Sequence, residues 1–132
     1  MRTPLYVACL AAALAAVFTA AAQTPTPVPK VVELDTHGHD YLPVLNGPPE
    51  TAGMRSGLVV LAPQKSVGRH STGQNEEVLI VLEGKGEMLF SDGHSLPVQA
   101  SHAVYCPPHT VHDVKNTGQV ELRYVYVVAH IS

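Results

Sequence analysis

Histidine and glutamate carry most of the chemistry that this sequence offers. The chain contains eight histidines, as many as its lysines and arginines combined, and imidazole is the commonest metal ligand in proteins. Glu76 and Glu77 lead directly into the apolar run Val78–Leu82. In a strand their side chains point to opposite faces, and Glu77 shares its face with Leu79 and Val81. An inward carboxylate is costly unless a cation satisfies it, so these residues predict a metal inside the domain.

The elements that must position Glu77 are predicted to be short strands. Apolar runs alternate with turn residues about every 8–10 residues, which is typical of all-β sandwiches and barrels. No part of the chain after residue 22 has a helical period, and residues 35–56 are expected to be rich in loops. Asp92-Gly93 favours a hairpin with a type I′ turn, which needs a positive φ at both central residues. The predicted strands are Val31–Leu34, Gly57–Ala62, Val78–Leu82, Glu87–Phe90, His102–Cys106 and Leu122–Val128.

The first 22 residues have the pattern of a secretory signal peptide. Arg2 is followed by an uncharged, alanine-rich apolar run, which ends in a small-residue cleavage site before Gln23. A transmembrane anchor is the alternative, but an alanine-rich run is weakly hydrophobic for a membrane span. We therefore expect a signal peptide at 1–22, a proline-rich linker at 23–30 and one domain at 31–132. The protein would be secreted or periplasmic, with no membrane contact after signal cleavage.

Charge and cysteine content exclude two classes of protein. The chain has 11 Asp and Glu against 8 Lys and Arg, a net charge of −3, and loss of Arg2 with the signal peptide makes it more negative. Without a basic cluster, the protein is not expected to bind nucleic acid. Cys9 would also leave with the signal peptide, so Cys106 would be an unpaired thiol and disulfides would not stabilise the fold.

Two segments resemble the sequence motifs of the cupin superfamily. The first motif is G-x5-H-x-H-x3,4-E-x6-G. Glu77 and Gly84 match its E-x6-G part, and His70 lies at the position of its first histidine. Thr72 takes the place of the second histidine, so the match lacks one of the residues that the motif supplies.

The second cupin motif is G-x5-P-x-G-x2-H-x3-N, and it matches the segment from Ser101 to Asn116. Pro107, His112 and Asn116 have the required spacing, whereas Ser101 and His109 replace the two glycines. Both motifs occur in order with a short spacer, which makes the combined resemblance specific. It covers residues 57–128, most of the chain after the signal peptide.

The resemblance implies an all-β, single-domain protein with the antiparallel jelly-roll β-barrel of cupins. In that family the motif histidines and the glutamate hold a divalent metal inside the barrel, and these ligands correspond to His70, Glu77 and His112. The metal would be Fe, Mn, Zn, Ni or Cu. Two histidines and one carboxylate have the composition of a facial triad with open coordination positions. Candidate additional ligands are Thr72, Gln74, Asn75 and His109, although an exposed turn is the other interpretation of His109.

The resemblance leaves two functions open, because cupins include isomerases, dioxygenases, decarboxylases, storage proteins and sensors. The first is a metal-dependent oxygenase or isomerase that acts on a small organic molecule. The second is a non-catalytic barrel that binds a small ligand or forms a dimer, with a degenerate metal site. The expected partners are a small molecule and, as is common among cupins, a second copy of the chain.

The segment Cys106–His112 suggests a third class of protein. It resembles the copper loop of cupredoxins, and with His70 it would supply the two histidines and one cysteine of an electron-transfer copper site. However, His112 stands where that loop has a methionine, and a cupredoxin leaves Glu77 unexplained. A cupredoxin-like copper carrier is therefore the weaker alternative.

Overall fold

The computed structural model describes residues 26–131, and the predicted signal peptide at 1–22 lies outside them. In this range the chain forms strands, turns and loops, and it contains no helix that is long and apolar enough to cross a membrane. In chain order, the strands of residues 26–131 are β1 Tyr41–Asn46, β2 Met54–Leu61, β3 His70–Ser71, β4 Asn75–Glu83, β5 Lys85–Phe90, β6 Ser95–Gln99, β7 Ala103–Cys106, β8 Val111–Asn116 and β9 Leu122–His130.

The strands form two sheets. One sheet has five strands in the order β1-β2-β9-β4-β7, and the other has four in the order β3-β8-β5-β6. Every strand pairing is antiparallel. This arrangement confirms the predicted all-β, antiparallel jelly-roll fold in a single domain.

Side chains from both sheets meet in one apolar core. In β4, Leu79 is 2% exposed whereas its neighbour Ile80 is 44% exposed, as the alternation of strand side chains requires. Met88 from β5 and Val114 from β8 belong to the same buried cluster as Leu79. Glu77 lies two residues before Leu79 on the inward face and is only 8% exposed. The strand pattern therefore places a carboxylate inside the barrel.

The N-terminal part of the domain differs from the prediction. Val31–Leu34 forms no strand, and Val31 is 98% exposed. The first strand, β1, instead lies within residues 35–56, which were expected to be loops. Pro43 weakened the strand signal there, but it is tolerated because β1 is at the edge of its sheet. Residues 26–30 of the predicted linker are exposed and have no regular secondary structure.

A turn at Asp92-Gly93 connects β5 to β6, as predicted, but it is not of type I′. Gly93 has a φ of +90°, while Asp92 is not among the described residues with positive φ. The amide of Phe90 donates to the carbonyl of His94 at 3.0 Å. The connection is therefore longer than a two-residue type I′ turn, and Gly93 is its one described residue with positive φ.

The chain passes from one sheet to the other at Gly84. This glycine is the single residue between β4 of the five-stranded sheet and β5 of the four-stranded sheet. Its φ is +79°, and a Cβ atom here would lie 2.2 Å from the backbone oxygen of Glu121. Gly84 is thus required for both its backbone conformation and its small size.

We predict that Gly84→Ala lowers the free energy of unfolding by at least about 2 kcal/mol, because left-handed strain adds to a backbone collision. Gly93→Ala is the matched control, since its φ is also positive but a Cβ would meet nothing within 4 Å. That variant should lose only about 1 kcal/mol. Urea denaturation measures both losses, and equal losses would contradict a role for the close approach at Gly84.

Candidate metal centre

Three potential metal ligands from both sheets converge on one cavity of the barrel, where Glu77 and His112 are buried and His70 is exposed. Glu77 extends from β4 of the five-stranded sheet, whereas His70 in β3 and His112 in β8 come from the four-stranded sheet. His70 and His112 are direct cross-strand partners. One potential ligand atom from each of the three residues lies within 4.8 Å of the others, and no other group in residues 26–131 meets this criterion. The structure thus brings together the three residues that the cupin resemblance implied.

The imidazole of His112 is buried, and one of its two nitrogens has no hydrogen-bond partner in the described part of the chain. Its side chain is 0% exposed, and Nε2 lies 3.2 Å from Oε2 of Glu77. Nevertheless, Nε2 has no well-aligned hydrogen bond to any described residue. The other nitrogen, Nδ1, faces the carbonyl of Thr110 at 3.4 Å. A buried polar atom without a partner is unusual in a folded protein, and here it faces the carboxylate.

The imidazole of His70 is oriented by the backbone. Its Nδ1 donates to the carbonyl of Gly68 at 2.9 Å, which leaves the lone pair on Nε2 free. The rings of His70 and His112 are 4.3 Å apart and tilted by 60°. Histidine ligands in metal sites commonly donate their second nitrogen to a carbonyl or carboxylate. Both histidines therefore have the orientation that a metal ligand needs.

The charge of His112 depends on its neighbours. Burial lowers the pKa of its imidazole, but the Cys106 thiol and the Glu77 carboxylate outweigh that effect and raise the pKa to about 10. A proton on His112 can therefore balance the charge of the buried carboxylate at neutral pH. A divalent ion would supply the same positive charge and must displace this proton to bind.

The donor set fits a divalent transition metal. Imidazole nitrogen suits zinc, copper, iron and nickel, and a carboxylate completes the composition of a facial triad. The three residues lie on the wall of a cavity of about 440 Å³. This volume is within the range of small-molecule sites in proteins, so a ligand could reach the metal.

Thr72 lies where the cupin motif has its second histidine, and its hydroxyl group bonds to the backbone. Oγ1 donates to the carbonyl of Pro107 at 2.9 Å and accepts from the amide of Thr110 at 2.9 Å. The backbone amide of Thr72 also donates to the carbonyl of Thr110 at 3.0 Å. The threonine therefore ties the turn before β4 to the connection between β7 and β8.

The other candidate additional ligands are Gln74, Asn75 and His109, of which His109 does not belong to the converging His-Glu group. Gln74 is exposed and does not line the cavity. Asn75 lines the cavity, but its Nδ2 donates to the carbonyl of Thr72 at 3.2 Å and its Oδ1 accepts from Nδ1 of His130 at 3.2 Å. His109 is exposed in a turn with a φ of +59°.

The two positions where the chain departs from the motif glycines keep glycine-like backbones. Ser101 has a φ of +69° and His109 a φ of +59°. The amide of His109 donates to the carbonyl of Gly73 at 2.7 Å. The motif therefore describes a backbone conformation at these turns, which serine and histidine adopt at some cost in strain.

Cys106 is buried beside the cluster. It is a free cysteine, is 0% exposed, and pairs with Glu77 across β7 and β4. Its Sγ lies 3.2 Å from Sδ of Met88. Cys106 does not belong to the group of converging ligand atoms, in contrast to the copper set that the cupredoxin interpretation required.

Three residues of the cavity wall were not expected from the sequence. Arg55 in β2, Tyr41 in β1 and Tyr126 in β9 all line the cavity. The hydroxyl groups of Tyr41 and Tyr126 are 2.8 Å apart. Burial, followed by the hydrogen bond to Tyr41, raises the pKa of Tyr126, so its phenol stays protonated. In the sequence, Tyr124 and Tyr126 alternate and so share one strand face, which indicates an aromatic sheet face but not a cavity wall.

The fold and site define a class of protein, a small jelly roll with a His-His-Glu cluster inside its barrel. The cupin domain family matches residues 57–128, which is more than half of the chain. The protein belongs to the cupin domain family, and this membership replaces the cupredoxin interpretation.

The names of two curated relatives indicate different functions. Auxin-binding protein 1 of Arabidopsis thaliana is 30% identical over 82 residues, covering 54% of this chain and 40% of that protein. Polyketide synthase CurC of Streptomyces cyaneus is 31% identical over 81 residues, covering 59% of this chain and 52% of that protein. The chain thus spans about half or less of the length of these relatives.

Solved structures share the fold at low sequence identity. A cupin 2 conserved barrel domain protein from Salinispora arenicola is 24% identical with a TM-score of 0.65, covering 77% of this chain and 89% of that one. A cupin protein from Bacteroides fragilis is 18% identical with a TM-score of 0.66, covering 83% and 88%. A predicted oxalate decarboxylase from Thermotoga maritima is 18% identical with a TM-score of 0.56, covering 76% and 100%.

We predict that Thr72→Val lowers the free energy of unfolding by about 2–3 kcal/mol, because it removes two hydrogen bonds of a buried hydroxyl. Thr72→Ser is the matched control, since it keeps the hydroxyl and should lose about 1 kcal/mol through the missing methyl group. Thermal or urea denaturation checks these values. Elemental analysis should give the same metal content in both variants. If Thr72→Val folds but contains no metal, Thr72 would be a metal ligand and not only a structural residue.

Proposed function

We propose that this cupin binds one divalent transition metal through His70, Glu77 and His112 and presents it to a small organic molecule. One observation carries the proposal, the unsatisfied Nε2 of buried His112 beside the carboxylate of Glu77. A metal ion in this position would satisfy both groups. The Nδ1 contacts of the two histidines with backbone carbonyls support the same arrangement.

The bound metal would supply Lewis-acid or redox chemistry at coordination positions that the protein leaves open. Two relatives are named for auxin binding and polyketide synthesis, and these names support a small organic ligand for this chain. The ligand would enter the cavity of about 440 Å³ that the three residues line. The residues of the cavity wall would hold and orient this ligand.

The cavity wall favours an oxygenase over an isomerase. An isomerase commonly moves protons with a side-chain base, but the described cavity residues hold no His, Asp or Glu outside the three ligands. Tyr124 also lines the cavity, and burial raises its pKa, so its phenol stays protonated and is no base at neutral pH. A facial-triad metal can act on dioxygen without such a base. The non-catalytic binding module is the second candidate, and the same lack of a base favours it.

We also propose that the protein acts as an exported homodimer. The N-terminal pattern supports export to a secreted or periplasmic location. The outer face of the five-stranded sheet carries exposed apolar side chains, with Ile80 44%, Leu82 38% and Tyr105 57% exposed. A second copy that packs on this face would remove them from water.

Metal content tests the ligand assignment. Protein purified without chelator or a metal-affinity tag is expected to carry about one equivalent of Fe, Mn, Zn, Ni or Cu by elemental analysis. His112→Ala should reduce the affinity for that metal at least tenfold while the circular dichroism spectrum keeps its β-sheet shape. His70→Ala and Glu77→Gln should act in the same direction, because each removes one of the converging donors.

His102→Ala is the control for the metal experiment, since this exposed histidine lies outside the cavity. Its metal content should equal that of the unsubstituted protein. Unchanged metal content in His112→Ala, or metal-free protein even after reconstitution, would contradict the assignment. In the second case the barrel would be a binding module without a metal.

Export predicts a defined N-terminus. When the full chain is produced in a bacterium, the extracytoplasmic fraction should contain a protein that begins at Gln23, as measured by intact mass. A variant that lacks residues 3–22 should remain in the cytoplasm, because the apolar region of a signal peptide is required for export. Recovery of the full-length chain with Met1 from the cytoplasm alone would contradict the proposal.

A further inference from the structure

Arg55 places a positive charge on the cavity wall without an opposing carboxylate. It is the only lysine or arginine among the described residues that line the cavity, and it forms no ion pair within residues 26–131. The nearby carboxylate of Glu50 is already bound by Lys30 and by Nδ2 of Asn46. The guanidinium is therefore free to bind an anion in the cavity.

The strand register fixes how far Arg55 lies from the metal centre. Arg55 pairs with Val128 across β2 and β9, and Val128 pairs with Glu77 across β9 and β4. Directly paired residues point to the same side of an antiparallel sheet, and neighbouring strands are about 4.8 Å apart. The Cα atoms of Arg55 and Glu77 are thus about 10 Å apart, so a molecule of a few carbon atoms can contact both sites.

A pair of tyrosines lies beside Arg55 on the same wall. The rings of Tyr41 and Tyr126 are stacked with an interplanar angle of 7°, and their hydroxyl groups are 2.8 Å apart. Gly57 leaves room for them, because a Cβ there would lie 2.6 Å from the Tyr41 ring and 2.8 Å from the Tyr126 ring. One hydroxyl proton joins the pair, and the other is available to a ligand.

Part of the remaining wall is apolar, although Asn46, Ser71, Thr72 and Asn75 also line it. Leu45, Leu79, Val114 and Val128 line the cavity between the polar groups. A bare inorganic anion would leave these side chains against water, whereas a ligand with a hydrocarbon body would cover them. The cavity therefore combines an anion site, a metal site and an apolar surface between them.

We infer that the cavity takes a small organic carboxylate, whose carboxylate group binds Arg55 and the tyrosine hydroxyls while a second oxygen faces the metal. The guanidinium fork matches the geometry of a carboxylate. Only one part of this inference rests on the proposed function, namely the contact between the second oxygen of the ligand and the metal. Electrostatics point the same way, since two neutral imidazoles and one carboxylate leave a divalent ion with a net positive charge, to which Arg55 adds another.

A pair of probes of equal shape tests the inference. 4-Oxopentanoate carries a carboxylate and a ketone oxygen, and 4-oxopentanamide differs by having a neutral amide in place of the carboxylate. Calorimetric titration of the metal-loaded protein should show at least tenfold tighter binding of the carboxylate. Arg55→Gln should reduce this preference to within twofold and leave the metal content unchanged, because Arg55 is not a metal ligand.

Arg123→Gln is the matched control, since it removes the same charge from an arginine that pairs with Glu83 at 2.8 Å away from the cavity. It should keep the full preference. The inference would be overturned if Arg55→Gln kept an undiminished preference for the carboxylate. It would also be overturned if the unsubstituted protein showed no preference, or bound neither probe at millimolar concentration. Inorganic phosphate that binds as tightly as 4-oxopentanoate would overturn the organic class.

Titration of the metal-free protein separates this inference from the proposed function. If the protein holds no metal but still prefers the carboxylate in an Arg55-dependent manner, the anion site is supported and the metal proposal fails. If metal binds as proposed and Arg55→Gln keeps the preference, the metal proposal stands and the anion site fails.

Discussion

The contact between His112 and Glu77 is the constraint on which the rest of the site depends. Both side chains are buried, and they come from opposite sheets of the barrel to within 3.2 Å. A buried carboxylate is costly unless a positive charge lies beside it. A proton can supply that charge, and so can a divalent metal, which would also satisfy the nitrogen that lacks a hydrogen bond. The spacing of the sheets therefore determines the chemistry of the interior.

Rigid strands hold both ends of the cavity. Glu77 and Arg55 lie in one cross-strand row, and His70 and His112 form a pair in the opposite sheet. Sites built on strands keep their geometry better than sites on loops. Gly84 is the single residue between the end of β4 in one sheet and the start of β5 in the other, so the chain has little freedom at this connection. The Arg55 end and the His-Glu end therefore keep a fixed separation, and under the proposal this separation would select ligands by length as well as by charge.

The sequence predicted the fold class, the inward face of β4 and the convergence of His70, Glu77 and His112, because alternation and motif spacing are local properties. The sequence-based prediction missed β1, because Pro43 weakened the strand signal there. It also assigned a strand to Val31–Leu34, which forms no strand in the structure. Arg55 was not expected in the cavity for a different reason. Its place on the wall follows from the pairing of β2 with β9, and such long-range registers cannot be read from the composition of a segment.

The departures from the cupin motifs show which of its positions need a particular side chain. Ser101 and His109 replace glycines, yet both adopt positive φ values, so those turns depend on backbone conformation. Thr72 replaces a potential ligand, and its hydroxyl bonds instead to the backbone around Pro107 and Thr110. A hydroxyl is a weaker metal donor than imidazole, so this exchange leaves fewer protein ligands around a bound ion. The same exchange stabilises the turn that carries β4, and with it the position of Glu77. A barrel with three ligands can therefore keep the geometry of the site while leaving more of the metal's coordination sphere to a ligand in the cavity.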